Sequence, residues 1–286
     1  MDRNDFMIFK WGKILWPLAA FSIFLSGCND LTEKKTEREP TAEEMYLSAD
    51  AKLKDNLNAE AASLFAAVER QYPYSEWAKK SLLMSAIANH NGAFYEESRA
   101  DAERYLDFYP ADVDAAHAQY LIALSYYDQI DNVSRDQSVT FNALQAFRTV
   151  IERYPNSEYT SPSLLKFDLS LDHLAGAEME VGRYYLKRGH FGAAISRFRV
   201  VVEEFETTSH TPEALHRLVE SYLSLGLIAN AQTTGAILGH NFQASDWYKD
   251  TYVLLTGRGI STEAVNENSS NWLTKIWRNV TPKKRL

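Results

Sequence analysis

A recurring spacing of small and apolar residues restricts what this chain can fold into more than any other feature. In each copy a small residue is followed by a small or apolar residue four positions later, a larger apolar residue seven positions later, and proline or a substitute twelve positions later. Spacings of four and three place side chains on one side of a helix, so each copy predicts an amphipathic helix that stops at the proline position. The small residues are offset by 37, 45, 51 and 37 positions in the five copies, which are Ala61-Phe65-Val68-Pro73, Ser98-Ala102-Tyr105-Pro110, Ala143-Phe147-Val150-Pro155, Ala194-Phe198-Val201-Glu206 and Ala231-Gly235-Leu238-Gln243.

Further small, aromatic and aliphatic residues precede the last two copies, among them Gly182, Tyr185, Gly226 and Ile228. With them the units resemble the tetratricopeptide repeat (TPR), a helix-turn-helix unit of about 34 residues that stacks into a superhelix. We therefore predict an all-α, TPR-like superhelical solenoid of five helix-turn-helix units over residues 41–257. The alternative is an arbitrary helical bundle with chance periodicity.

The two longer offsets indicate insertions. Residues 128–140, which read DQIDNVSRDQSVT, are expected to extend the turn inside the third unit. A longer helix is predicted from Ser161 to Lys187, running into the fourth unit. Serine is a common helix cap and proline fits the first helical position, so Ser161 is the expected N-cap and Pro162 the first helical residue. This helix divides the solenoid into a front half of three units and a back half of two.

The start of the chain has the pattern of a lipoprotein export signal. Residues 14–25 read ILWPLAAFSIFL, and these twelve residues are fewer than the roughly 20 that a membrane-spanning helix needs. The run ends in Leu25-Ser26-Gly27-Cys28, the lipobox pattern in which small residues admit the signal peptidase and the thiol takes a diacylglyceryl group. We predict a signal peptide over residues 1–27 and a covalent lipid on Cys28 that holds the chain at a membrane. The alternative is a free cysteine behind a simple membrane anchor.

The next segment is polar, and it bears on which membrane receives the protein. Residues 28–40 are predicted to be a lipidated flexible tether that spans at most about 40 Å, because they lack the apolar residues that would order them. Aspartate directly after a lipidated cysteine favours retention in the inner membrane. Here Asn29 takes that place and Asp30 follows, which favours a lipid-anchored position in the outer membrane, facing the periplasm.

The C-terminal residues form two further segments. Residues 258–271 read as a polar linker, and residues 272–286 as a basic amphipathic segment. Its apolar residues fall at helical spacing: Trp272, Leu273, Ile276, Trp277 and Val280. Two roles are open, docking on a partner or a membrane surface, and folding back as a cap on the solenoid.

Composition and spacing exclude several classes of function. A formal net charge of -8 argues against nucleic acid as a partner. The single cysteine cannot close a disulfide within the chain, so the domain must fold by packing alone. The histidines include no pair three or four residues apart that would bind a metal from one helix face, and acidic neighbours such as Glu43 and Glu44 point to different sides of a helix. We therefore expect no enzyme activity, no metal and no cofactor except the lipid on Cys28.

Several stretches of the repeat region resemble one family. The chain is similar to the BamD family of outer-membrane assembly lipoproteins, in its alphaproteobacterial form, from about Met45 to Leu255. The most specific stretches are residues 71–75 (QYPYS), 135–137 (RDQ), 153–159 (RYPNSEY), 181–185 (VGRYY), 193–198 (AAISRF) and 238–242 (LGHNF).

This resemblance implies a scaffold of the β-barrel assembly machine. Such a scaffold docks on the periplasmic POTRA domains of BamA, works with the other Bam subunits and helps to recognise and insert unfolded outer-membrane proteins. Arg197 matches a family arginine that reaches the last POTRA domain. The front half resembles the part that receives substrates, but residues 56–59 (NLNA) lack the glycine, aromatic and basic residues often found in that turn.

Two other functions stay open at this stage. One is a different repeat-containing envelope lipoprotein scaffold, for example one that coordinates cell-wall synthesis. The other is a hydrolase of the envelope, which would need a cleft with perturbed carboxylates.

Overall fold

The computed structural model describes residues 38–132 and 136–262. Within these two ranges every regular element is an α-helix, and there are eleven of them. Their bounds are α1 Ala42–Lys54, α2 Asn58–Gln71, α3 Glu76–Asn91, α4 Tyr95–Phe108, α5 Ala115–Tyr127, α6 Ser138–Arg153, α7 Thr160–Lys187, α8 Phe191–Glu204, α9 Thr211–Ser224, α10 Ile228–Asn241 and α11 Asp246–Thr256.

Consecutive helices pack in pairs, which gives five helical hairpins. Each hairpin has a first helix (α1, α3, α5, α7 or α9) and a second helix (α2, α4, α6, α8 or α10), and each second helix also packs on the first helix of the next unit. The last helix, α11, packs on α9 and α10. The predicted all-α, TPR-like repeat fold is therefore confirmed.

The predicted stripes fall on the second helices and form the core. Ala61, Phe65 and Val68 have no solvent exposure, and the same holds for Phe147 and Phe198. Phe198 contacts the backbone of the preceding first helix closely, because residue 182 there is a glycine: a β-carbon at Gly182 would lie 2.4 Å from Cε1 of the Phe198 ring.

The second helices end in a common way. The residue after each helix is aromatic, and its backbone N–H donates to the carbonyl four residues earlier; these residues are Tyr72, Tyr109, Tyr154, Phe205 and Phe242. Proline follows in the first three units, where it disfavours helical backbone at the preceding residue. Glu206 and Gln243 take its place in the last two, and the chain leaves the helix with similar backbone angles. Termination therefore does not require the proline.

The turns inside the first, second, fourth and fifth units use left-handed backbone. Gly189 and Gly226 have φ values of 76° and 74°, and the same place is taken by Asn56 at 59° and Ala93 at 60°. Asparagine tolerates this region better than most residues, so Asn56 replaces the glycine that the first turn lacks. Alanine has no such tolerance, and Ala93 holds an unfavourable conformation.

The long helix α7 links the two halves, but it starts earlier than predicted. Its N-cap is Tyr159, so Ser161 is not the cap and Pro162 is the third helical residue. The earlier start follows from Thr160, whose hydroxyl donates to the carbonyl of Tyr154 at 2.6 Å and closes the turn before the helix. Proline is tolerated there because the first N–H groups of a helix have no partner within it.

The two halves have separate apolar cores. Phe167, in the first half of α7, packs against the core of the second and third units. Ala175 and Met179, further along α7, belong to a continuous core that extends through α11 to Leu255. Residues of α7 thus take part in the apolar clusters on both sides of it. None of the described helices is long and apolar enough to cross a membrane.

Candidate partner-binding surface

Arg197 lies on the outer side of α8, the second helix of the fourth unit. Its neighbour Phe198 is buried, and consecutive helical residues point about 100° apart, so the Arg197 side chain is directed away from the core. It is 45% exposed. The close contact between Phe198 and Gly182 fixes α8 against α7 and so fixes the position from which Arg197 projects.

The Arg197 guanidinium already has a partner within the chain. Its Nη1 donates to both carboxylate oxygens of Glu178 on α7, at 3.1 and 3.3 Å. An exposed pair of this kind contributes about 0–1 kcal/mol, because water screens it and two long side chains must be ordered. Val181, one turn further along α7, is an exposed apolar residue. A cation, an anion and an apolar side chain thus share this part of the surface, which we call the α7–α8 surface.

A polar groove lies on the other side of α7, where sequence patterns had given no signal. It has a volume of about 460 Å³ and lies between α7 and the start of α9. Asp172 of α7 accepts hydrogen bonds from the backbone N–H and the hydroxyl of Ser209, at 3.2 and 2.8 Å. Two further residues, His173 and His210, line the same groove. The pair Asp172 and His173 is far in the chain from the pair Ser209 and His210, so only the packing of α7 against α9 brings the two pairs together.

A bidentate ion pair holds α9 against α7 beside this groove. Arg183 donates from Nε and Nη2 to the two oxygens of Glu213, at 2.9 and 3.0 Å. Burial raises the pKa of the Glu213 carboxyl, but the hydrogen bonds and charge of Arg183, with the charge of Arg217, outweigh it and hold that pKa below its usual range. The groove wall is therefore charged, and the two hydrogen bonds between Arg183 and Glu213 hold α9 in place against α7.

Two buried or half-buried histidines, His216 and His117, are placed for packing. His216 is buried, and its Nδ1 lies 2.7 Å from the hydroxyl of Thr251 on α11, so it joins two helices. His117 stacks on Tyr159 with ring centroids 4.7 Å apart, and burial lowers its pKa. Across the described ranges, no three His, Cys, Asp or Glu side chains are grouped so that they could hold a metal ion.

Two predicted functional segments lie outside the described residues. These are the lipidation site Cys28 with its signal peptide, and the basic amphipathic segment at residues 272–286.

The stacked hairpins define the class of the protein: it is a tetratricopeptide-like helical-repeat protein. Comparison with known proteins gives the family. The model of the family described as YfiO, outer membrane lipoprotein, matches residues 38–237. The chain therefore belongs to this family, as the resemblance to BamD proteins predicted.

Two curated relatives cover most of the chain. The outer membrane protein assembly factor BamD of Caulobacter vibrioides is 46% identical over 82% of this chain and 78% of its own length. The BamD of Rickettsia prowazekii is 39% identical over 86% of this chain and 98% of its own length. A solved structure of kinesin light chain TPR-like repeats from Podosopora anserina is 16% identical, covers 71% of this chain and 96% of its own, and superimposes with a TM-score of 0.32. The repeat assignment thus depends on the helix pairing in the chain itself.

Proposed function

We propose that this chain is a lipid-anchored scaffold of the outer membrane, facing the periplasm, that serves the assembly of outer-membrane β-barrel proteins and does not act as an enzyme. The observation that carries the proposal is the 46% identity, over 82% of the chain, to a relative named as an outer membrane protein assembly factor. The fold is consistent with this role, because stacked helical hairpins offer extended surfaces that hold partners by many small contacts.

The partner proposed for the back half is BamA, through its last POTRA domain, with the α7–α8 surface as the contact. Arg197 is always charged and has a planar fork of donors that suits a carboxylate. Its present partner, Glu178, is on the protein's own surface, and an exposed pair of this kind exchanges at little cost. An acidic residue of the partner can therefore replace or join Glu178. The other Bam subunits and unfolded outer-membrane proteins are the further proposed partners, the latter at the front half.

The test of the BamA contact is binding of purified variants to the soluble POTRA region. Arg197→Glu should weaken binding several-fold or more, because it places like charges together, while the circular dichroism of the variant stays that of the folded protein. Arg199→Glu is the matched control: Arg199 lies on the same helix and pairs locally with Glu203 at 2.7 Å. Glu178→Gln should retain or increase affinity, since it leaves Arg197 in place without its competing carboxylate. Wild-type affinity in a folded Arg197→Glu protein would place the interface elsewhere, with residues 272–286 as the next candidate.

The test of the lipid anchor is metabolic labelling with a fatty-acid analogue. The wild-type protein should take up the label and fractionate with the outer membrane, and Cys28→Ala should do neither. A wild-type protein that stays unlabelled would contradict the anchor without affecting the BamA contact.

A further inference from the structure

The repeat domain begins at one identifiable edge of the solenoid. Pro40 is followed by Thr41, the N-cap of α1, and the Pro40 carbonyl accepts a hydrogen bond from the Tyr72 hydroxyl at 2.7 Å. Tyr72 ends α2 and leads into the turn that joins the first unit to the second. The chain therefore enters the domain beside this turn. We call the side of the domain formed by the turns between successive units the inter-unit edge.

The inter-unit edge exposes large apolar side chains where the chain enters. Tyr74, in the first turn, is fully exposed, Val113 in the second is 89% exposed, and Phe108 at the end of α4 is 63% exposed. The two turns are neighbours: Lys79, in the first turn of α3, binds Asp112 of the second turn at 2.6 Å. The later turns lack such side chains, since residues 156–158 read NSE and residues 206–210 read ETTSH. Within the turns themselves, exposed large apolar side chains thus occur only in the first two of the described turns, while Leu165, near the start of α7 and beside the third turn, is also 64% exposed.

Tyr74, Phe108 and Val113 would each gain from an apolar or interfacial surrounding, because apolar area in water is unfavourable. The opposite edge also has apolar residues, but Leu57, at the other end of α2, is less exposed at 41%. The two ends of this 14-residue helix are about 20 Å apart. The edges can therefore be told apart by a probe of short range.

Charge indicates which kind of lipid surface fits this edge. Glu76, Asp107, Asp112 and Asp114 lie at or next to the two turns, against Lys79 and Lys80. Lys79 is paired with Asp112, and the Lys80 ammonium lies 4.6 Å from the centre of the Trp77 ring. Carboxylates predominate, so an anionic lipid surface would repel the edge, whereas a zwitterionic surface would not.

We infer that the inter-unit edge of the first two units contacts the zwitterionic phospholipid surface to which the chain is anchored, and that Tyr74, Phe108 and Val113 enter it at headgroup level. The inference depends on the proposed lipid at Cys28. From Cys28 the chain spans at most about 40 Å to Pro40, so Pro40 stays within that distance of the lipid anchor. The resulting high effective concentration near the membrane allows weak contacts to contribute to binding. Aromatic side chains with a polar tip are favoured at the membrane–water interface.

The experiment uses the mature acylated protein in vesicles of phosphatidylethanolamine and phosphatidylcholine. The chain has a single cysteine, Cys28, and acylation blocks its thiol, so a cysteine introduced by Tyr74→Cys, Val113→Cys or Leu57→Cys is the sole site for a fluorescent label. Flotation measures anchoring. Quenching by a nitroxide on the lipid headgroup then measures how close each label lies to the surface, and circular dichroism checks that the variants fold.

The labels at residues 74 and 113 should be quenched at least two-fold more than the label at residue 57. Equal quenching at the three positions in protein that floats would overturn the membrane contact and leave the anchor intact; a protein partner would then be the occupant of this edge. If the parent protein, which has no introduced cysteine, reacts with the fluorescent label at Cys28 and does not float, then Cys28 is not acylated. The anchor itself then fails, and the membrane contact fails with it.

Discussion

The contact between Gly182 and Phe198 provides a sharp test of how the back half is packed. Gly182 lies in α7, and a methyl group there would approach three atoms of the Phe198 ring to 2.4, 2.8 and 2.9 Å. The ring itself is fully buried. The perturbation we consider is therefore Gly182→Ala, made both in the wild-type protein and in the Phe198→Ala variant.

Two opposing effects set the size of the change. Forcing a methyl group into a packed contact costs about 1–3 kcal/mol, while alanine stabilises a helix interior by about 1 kcal/mol relative to glycine. In the wild-type protein, Gly182→Ala should then lower the free energy of unfolding by about 0–2 kcal/mol. Phe198→Ala alone should lower it by about 3–5 kcal/mol. With the ring removed, the methyl group has room, so Gly182→Ala should raise the free energy of unfolding by about 1 kcal/mol.

The assay is urea unfolding of the four proteins, followed by far-ultraviolet circular dichroism. The two substitutions should couple by about 1–3 kcal/mol, the difference between the effects of Gly182→Ala in the two backgrounds. Gly192→Ala is the control, because a β-carbon at Gly192 meets no atom within 4 Å. It should have the same effect with and without the Phe198 ring. A coupling near zero at Gly182 would refute the packing of α7 on α8 described above.

Three further predictions concern the turns and the packing of the repeats. Ala93 has φ near 60°, so Ala93→Gly should raise the thermal midpoint by relieving about 1 kcal/mol of backbone strain, whereas Gly226→Ala, at φ of 74°, should lower the midpoint. A lowered midpoint for Ala93→Gly together with a raised one for Gly226→Ala would contradict the assigned turns. A hydrogen bond from Lys79 is the largest cause that lowers the pKa of Asp112, from 3.8 to about 2, so its contribution to stability is complete above pH 3.8 and is lost as the pH falls towards 2. Asp112→Asn should therefore destabilise the protein at neutral pH and progressively less below pH 3.8, and a difference from wild type that does not change over this range would disprove the assignment. Phe147→Ala should lower the free energy of unfolding by about 3–5 kcal/mol in urea titrations, and an unchanged midpoint would show that the third stripe is misplaced.

The second helices were predictable because their sequence repeats a physical requirement. A small residue lets the neighbouring helix approach, and the apolar residues four and seven positions later fill the space beneath it. This pattern identified the buried faces of all five second helices, down to Ala231 and Leu238 in the last unit, where the proline is missing. The first helices lack so regular a pattern, since most of them pack against more helices than the second helices do and are apolar on more than one side. The sequence therefore predicted α11 only as part of the repeat region, without separating it from the fifth unit.

Helix ends were harder to predict, because they depend on contacts that a local pattern does not contain. Serine before proline is a good cap by composition, yet α7 starts before Ser161, since the Thr160 hydroxyl binds the Tyr154 carbonyl and closes the turn first. Similarly, the turn that lacks glycine keeps the standard geometry because Asn56 takes the left-handed conformation. In both cases a hydrogen bond or a tolerated backbone angle replaced the residue that the pattern called for.

The candidate site shows the same division between local pattern and long-range packing. That Arg197 is exposed follows from its place beside Phe198, which any helical reading of the stripe provides. Its pairing with Glu178 does not follow, because the two residues are 19 positions apart and meet only when α7 and α8 pack as a hairpin. The pair changes what substitution at this site measures: Arg197→Glu removes an internal partner as well as a docking group, whereas Glu178→Gln removes only the internal partner. Comparing the two variants therefore separates the contribution of Arg197 to partner binding from its contribution to the fold.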